Sequence, residues 1–208
     1  MSRRRKVENL LALAVLSYLS QRPMHPYEVG RTLREHGDAR SIKFNHGSLY
    51  MVVHQLEKVG FVTEQGTTRA GQRPERRVYA ITDSGREEMR HWLRELIEEP
   101  RHEYPHFVAA LSLIAALPPD EVVALLTKRA RGVADQRDET RELIADTLEA
   151  GVHPLFLVEE DYRLALLEAE AAFIEDFIVR ITHPHTGWAP QWSEFHDAQR
   201  ATEEGQEP

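Results

Sequence analysis

Between residues 45 and 62 the chain reads NHGSLYMVVHQLEKVGFV. Leu49, Val53, Leu56 and Val59 recur at spacings of three and four, which makes one apolar stripe of an α-helix. The other side carries His46, Ser48, Tyr50, Met51, His54 and Lys58: hydrogen-bond donors and acceptors, rings and a positive charge, with few carboxylates. Such a face can bond the phosphates and base edges of a polyanion, or it can simply face water. Further along, Arg69, Arg73, Arg76 and Arg77 put four arginines within nine residues, around Gly71, Gln72 and Pro74. Planar guanidinium groups suit phosphate, and one of them could enter a minor groove; the alternative is a solubilising loop. The run Arg3, Arg4, Arg5, Lys6 reads equally as an arm on a polyanion or as a disordered start.

Other chemistries find less support. His102 and His106 stand four apart, a spacing that suits a metal on a helix, but Pro105 lies between them and no carboxylate motif completes the set. His183 and His185 fare no better, so no metal site is assigned. There is no nucleophile motif, no glycine-rich phosphate loop and no paired carboxylate in an apolar setting, so the chain is not read as an enzyme and no cofactor is expected. Trp92 and the aromatics Tyr104, Phe107, Phe156, Tyr162, Phe173 and Phe177 could line a small-molecule cavity between subunits, or they are packing residues.

Charge narrows the search for a partner. The 208 residues carry a net charge of −8, but residues 1–99 hold 17 basic against 13 acidic residues and residues 100–208 hold 9 against 21. An asymmetry of this kind points the basic half toward a polyanion. The chain has no cysteine, which excludes disulfides and thiolate metal sites and fits a reducing compartment; the expected location is the cytoplasm. The basic start and following apolar run resemble an export signal only superficially, because Glu8 and Asn9 interrupt the join and no small-residue cleavage site follows. No apolar run reaches the roughly 20 residues that span a bilayer, so no membrane is expected.

These residues need elements to hold them. Residues 8–20 form a helix apolar on most of its circumference, which must be buried on several sides. The PMHP turn leads into a second helix over residues 27–36, stopped by Gly37, and the opening stretch forms a third from about Gly47 to Val59, stopped by Gly60. Residues 61–66 and 78–81 read as two short strands around the insert TTRAGQRPERR, and a fourth helix runs from Ser84 to about Glu98 with Thr82 or Asp83 as its cap. Past Pro100 and Pro105 the chain is nearly all helix: a short apolar one over 107–117, a long charged one over 118–149 and another over 155–181. Tyr162, Leu166, Ala169, Phe173 and Phe177 lie at heptad-like spacing on the last, and a hairpin that thin needs a second copy of the chain to cover it. From His183 onward the sequence lacks periodicity and turns polar and acidic.

Three helices followed by a two-stranded hairpin is the plan of a winged helix-turn-helix, in which the third helix enters the major groove of double-stranded DNA and the wing touches the adjacent backbone or minor groove. The fold class is therefore mainly α with a small β-hairpin. Residues 1–99 are read as the winged domain, 100–182 as a helical dimerisation domain and 183–208 as a partly flexible tail. Candidate DNA contacts are Asn45, His46, Gly47, Ser48, Tyr50, Met51, His54 and Lys58 on the helix, and Arg69, Gln72, Arg73, Arg76 and Arg77 on the wing. Gly47 and Ser48 lie at the positive end of the helix dipole; Tyr50 and His54 project one turn apart along one side; Lys58 would reach backbone rather than bases.

At SLYMVVHQLEKVGFV, GQRPERRVYAITDSGRE and LLALAVLSYLSQRPMHPYEV the sequence resembles the PadR family of bacterial transcriptional regulators over roughly its first 95 residues. The resemblance implies a homodimeric winged-helix repressor, often of genes for phenolic-acid detoxification or drug export, with a helical C-terminal part that dimerises. Tyr50 matches the family's helix tyrosine, and Gly71, Pro74, Arg77 and Tyr79 match its wing pattern. Where many members have proline after that tyrosine this chain has Met51, which leaves a first-turn helix intact. The family neighbourhood of Trp92, between wing and dimer helices, makes it the foremost candidate for a small aromatic effector, with Tyr162 second. The reading is a repressor released from operator DNA by an effector; the rival is a helical interaction protein whose winged domain binds protein rather than DNA.

Overall fold

The computed structural model describes residues 7–68 and 76–204, and the chain separates into two compact units, residues 1–102 and 103–208. In the first unit α1 spans Leu10–Gln21, opened by Asn9, whose side chain accepts a hydrogen bond from the Leu11 amide at 2.9 Å. Pro26 begins α2 (Pro26–Glu35) at the first-turn position that lacks an intrahelical partner in any case. A single 3-10 turn, Asp38–Arg40, then leads to α3 (His46–Lys58). Strands β1 (Val62–Thr68) and β2 (Arg76–Ile81) pair antiparallel, and α4 spans Asp83–Glu98 with Thr82 as its cap.

α1 is the centre of this unit. Leu11, Val15, Leu16 and Leu19 are buried together with Leu33 from α2, Leu49, Val52, Val53 and Leu56 from α3, and Val62 and Ile81 from the hairpin. A helix apolar all round has no solvent face to offer, so three helices and the sheet enclose it. Each fully buried leucine contributes roughly 1.5–3 kcal/mol relative to exposure. The chain between α1 and α2 joins the sheet as well, since the Met24 and Tyr79 amides each donate to the other's carbonyl at 3.0 Å. α4 lies close to the start of β1 at Gly85, where a Cβ would stand 2.1 Å from the Phe61 carbonyl oxygen.

Two local readings need correction. Val52 takes the place of Val59 in the buried stripe of α3: Val59 is the C-cap residue and only half-buried. The strands also run further than expected, because the pairing shifts register between Glu64 and Thr67 and resumes with Thr67 opposite Arg77 and Thr68 opposite Arg76. Gly66, at φ +101°, supplies the backbone conformation at that irregularity, so residues read as turn belong to the ladder.

In the second unit α5 (His106–Ser112) and a 3-10 turn (Ile114–Ala116) precede α6 (Pro119–Glu149); after Gly151 and a 3-10 turn (Pro154–Leu157) comes α7 (Val158–Thr182). α6 and α7 form the expected hairpin, packed through Val122, Leu126, Val133, Ile174, Phe177 and Ile181 and tied by Arg129 to Glu170 at 2.6 Å and Arg141 to Glu168 at 2.5 Å. The stretch from His183, expected to be aperiodic, instead folds into α8 (Ala189–Glu204). Ala189 and Trp192, three apart, pack against the unit's core, and the Trp188 ring meets Phe177 edge-on at 6.1 Å between centroids. Contacts of these two tryptophan rings hold the segment against the unit despite its polar and acidic composition. No helix among the described residues is long and apolar enough to cross a membrane.

Candidate nucleic-acid interface

The start of α3 is fixed by a reciprocal cap. The Asn45 side chain accepts from the Ser48 amide at 2.8 Å, and the Ser48 hydroxyl accepts from the Asn45 amide at 2.9 Å. These two side chains, expected as DNA contacts, are therefore engaged in holding the helix end. Their cap leaves the first amides of the helix, those of His46 and Gly47, outside the intrahelical ladder. Partial positive charge from the aligned peptide dipoles gathers at the same place, so an anion is favoured there.

From this end the polar face runs down the helix. With Leu49, Val52, Val53 and Leu56 buried beneath, the residues left outside are His46, Gly47, Tyr50, Met51, His54, Gln55 and Lys58. Tyr50 is 47% exposed and Met51 63%. The His54 imidazole stands 3.6 Å from the Glu57 carboxylate on the same helix. Tyr50 and His54 offer both donors and acceptors, Gln55 an amide able to read adenine, and Lys58 a cation at the far end. Gln55 was missed in the sequence, although its place four after Met51 and three before Lys58 puts it on the same face.

A second helix contributes what spacing along α3 cannot show. The Tyr27 ring, at the start of α2, stacks on His46 with 5.8 Å between centroids and 5° between planes. His25 meets Tyr50 edge-on at 6.0 Å. The first turn of α2 thus flanks the first turn of α3, and Tyr27, 50% exposed, extends the polar and aromatic surface.

On the hairpin, Arg77 is exposed and lies 3.6 Å from Glu64 on the opposite strand. A solvent-facing pair of this kind is worth at most about 1 kcal/mol, so little opposes exchange of the carboxylate for a phosphate. Tyr79, part of the wing pattern, is a core residue bonded through its backbone to Met24, and burial raises its phenol pKa. The Arg76 backbone pairs with Thr68, while Arg69, Gln72 and Arg73, like Arg3, Arg4, Arg5 and Lys6, lie outside the described residues.

The aromatic candidates part company. Trp92 is 3% exposed and belongs to the core of the first unit, among α1 and hairpin residues, so its ring is structural in this arrangement and offers almost no surface to a ligand. Tyr162 stands on α7 of the second unit, 67% exposed. Among the described residues no group of three His, Asp or Glu side chains could hold a metal ion.

Residues 15–91 match the family described as the transcriptional regulator PadR-like family. Over that stretch the chain is similar to the PadR-like family. Its helices α1–α4 and the hairpin carry that match. The negative transcriptional regulator PadR of Bacillus subtilis (strain 168) is 28% identical over 141 residues, which is 65% of this chain and 76% of that one. Crystal structures of B. subtilis PadR are similar in fold. The one in complex with operator DNA gives a TM-score of 0.66 at 21% identity, over 82% of this chain and 98% of the other; the one in complex with p-coumaric acid gives 0.66 at 18% identity, over 86% and 97%. The mainly helical architecture with its two-stranded antiparallel hairpin thus shares the fold of these structures over most of the chain.

Proposed function

We propose that this PadR-like chain is a homodimeric repressor that binds operator DNA through α3 and the wing and leaves it when a small aromatic effector binds. The observation that carries the reading is the two-faced α3: four apolar residues seat it on the core, and Tyr50, Met51, His54, Gln55 and Lys58 are exposed on the opposite side, with an exposed arginine on the wing. Phosphates at the helix start and along the wing would position the protein, and the tyrosine, histidine and glutamine would read base edges in the major groove. B. subtilis PadR, solved with operator DNA, supports the DNA part, and its complex with p-coumaric acid supports the effector part.

Dimerisation is argued from α7. Val158, Tyr162, Leu166 and Phe173 are exposed at spacings close to a heptad repeat, a stripe too apolar to be left in water. Pairing of two copies along it would present two recognition helices to successive major grooves about 34 Å apart on a pseudo-palindromic site. An effector that binds the DNA-incompetent dimer more tightly would draw the population off the operator.

Electrophoretic retardation of duplex from the chain's own upstream region, across a salt series, tests the reading. Affinity that falls steeply with salt and exceeds that for unrelated duplex is expected. Binding that ignores salt, or none at all, overturns the repressor. Retardation that persists unchanged with added p-coumaric acid and related phenolic acids removes the effector as proposed.

A further inference from the structure

We infer that α5, the 3-10 turn after it and the first turns of α6 enclose a binding site for a small uncharged aromatic molecule that carries one acceptor oxygen. The inference concerns the second unit alone and does not rest on the DNA-binding reading. A cavity of about 280 Å³ opens there, with Phe107 and Leu111 on α5, Ile114 and Leu117 at the turn, and Leu126 and Arg129 on α6 among its walls. Of the ten described residues that line it, nine are apolar and the tenth is Arg129.

Size limits the occupant. An apolar cavity of about 150 Å³ holds benzene, so this one has room for two fused rings. A partner helix, about 10 Å across with its side chains, could lie over the mouth but not enter it. Nor does the proposed pairing need the space, since Val158, Tyr162, Leu166 and Phe173 are not among the residues that line it. The wall is fixed in advance as well. The Phe107 ring is contacted by the Arg129 guanidinium, whose carbon stands 3.7 Å from its centroid, and by the Phe173 ring, which meets it edge-on at 6.4 Å. Less side-chain freedom is then lost when a flat ring binds beside them.

Charge selects the ligand further. Arg129 Nε donates to the Glu170 carboxylate at 2.6 Å, so the one cation of the wall is already matched by an anion. A carboxylate ligand would meet Glu170 as well as Arg129, and one negative charge would be left against a hydrocarbon wall without a cation of its own. An uncharged ring meets no such penalty. Glu170 takes the Nε proton only, and no described residue accepts from the two terminal nitrogens of Arg129. A hydroxyl, ether or carbonyl oxygen on the ligand can accept there.

Calorimetric titration of the full-length protein at neutral pH with naphthol, naphthalene and naphthoate, one bicyclic frame with three head groups, tests the site. Naphthol is expected to saturate a single site per chain, about fivefold more tightly than naphthalene because of the oxygen that Arg129 bonds. It should also bind about tenfold or more tightly than naphthoate. Two variants follow, after thermal unfolding confirms that each folds. Ala110→Trp, at an exposed position of the lining, fills the cavity and should abolish binding of all three. Glu170→Gln removes the matching anion and should reverse the order of naphthol and naphthoate, which a merely weakened fold would not do. Wild type that binds naphthoate as well as naphthol, or Ala110→Trp that binds naphthol as wild type does, overturns the inference. No saturable binding of naphthol overturns it too; a change of sedimenting mass in Ala110→Trp then assigns the cavity to a side chain of a second copy. Retardation of DNA, present or absent, alters none of these results, so the site and the repressor reading fail separately.

Discussion

Tyr50 and Tyr18 show how one residue type serves two purposes in the same unit. Tyr50 stands half-exposed, with its ring meeting His25 edge-on. Removing its hydroxyl leaves the ring and the helix in place; Tyr50→Phe is expected to weaken operator binding by about 1 kcal/mol, roughly fivefold, with thermal stability unchanged. Retardation assays and a melting curve on the same preparation check both halves. Tyr18 is buried, and its phenol pKa is driven up by burial first and then by the hydrogen bond and charge of Asp38. Below about pH 10 both folded and unfolded chains hold the neutral phenol, so the contribution of Tyr18 is complete there. Above it the unfolded chain releases the proton first, and stability falls as pH rises, by up to about 1.4 kcal/mol per pH unit from this group. Urea unfolding between pH 9 and 11 should therefore decline less steeply for Tyr18→Phe than for wild type.

At the scale of the element, the orientation of α3 is decided at its ends. The mutual cap between Asn45 and Ser48 fixes where the helix begins, and with it which amides face an anion. Asn45→Ala should cost about 1 kcal/mol of stability, measured by denaturant unfolding of the full chain. It should also lower affinity for specific and unrelated duplex alike, because the loss falls on phosphate positioning rather than base reading. An effect on the operator alone would instead mean that the Asn45 side chain reads a base. The helix end was legible in the sequence as a turn into an apolar period, and Asn45 and Ser48 were read there as DNA contacts. Their role as a cap rests on distances that spacing along the chain does not show.

For the whole molecule, repression as proposed requires two recognition helices at once, and so depends on the exposed stripe of α7. Leu166→Glu puts a charge where a second copy would have to bury it, and removes an apolar contact besides. Sedimentation is expected to show the variant at half the wild-type mass, with operator affinity reduced by ten-fold or more because the two half-sites are no longer linked. A variant that stays dimeric shows that the copies pair elsewhere.

The sequence by itself determined the order and type of the elements as far as α7 and most of the buried side of α3, because a period of 3.6 or 2 written along the chain states which side chains must leave water. It therefore yielded the wing, the outward face of α3 and the long C-terminal hairpin. Tertiary structure alone decided what those faces meet. It brought Tyr27 onto His46, sank Trp92 into the core of the first unit, and recovered α8 from a polar stretch through two tryptophans. It also packed Ala189 and Trp192 against the core of the second unit. Contacts between elements depend on distances across the fold, and no local period encodes those.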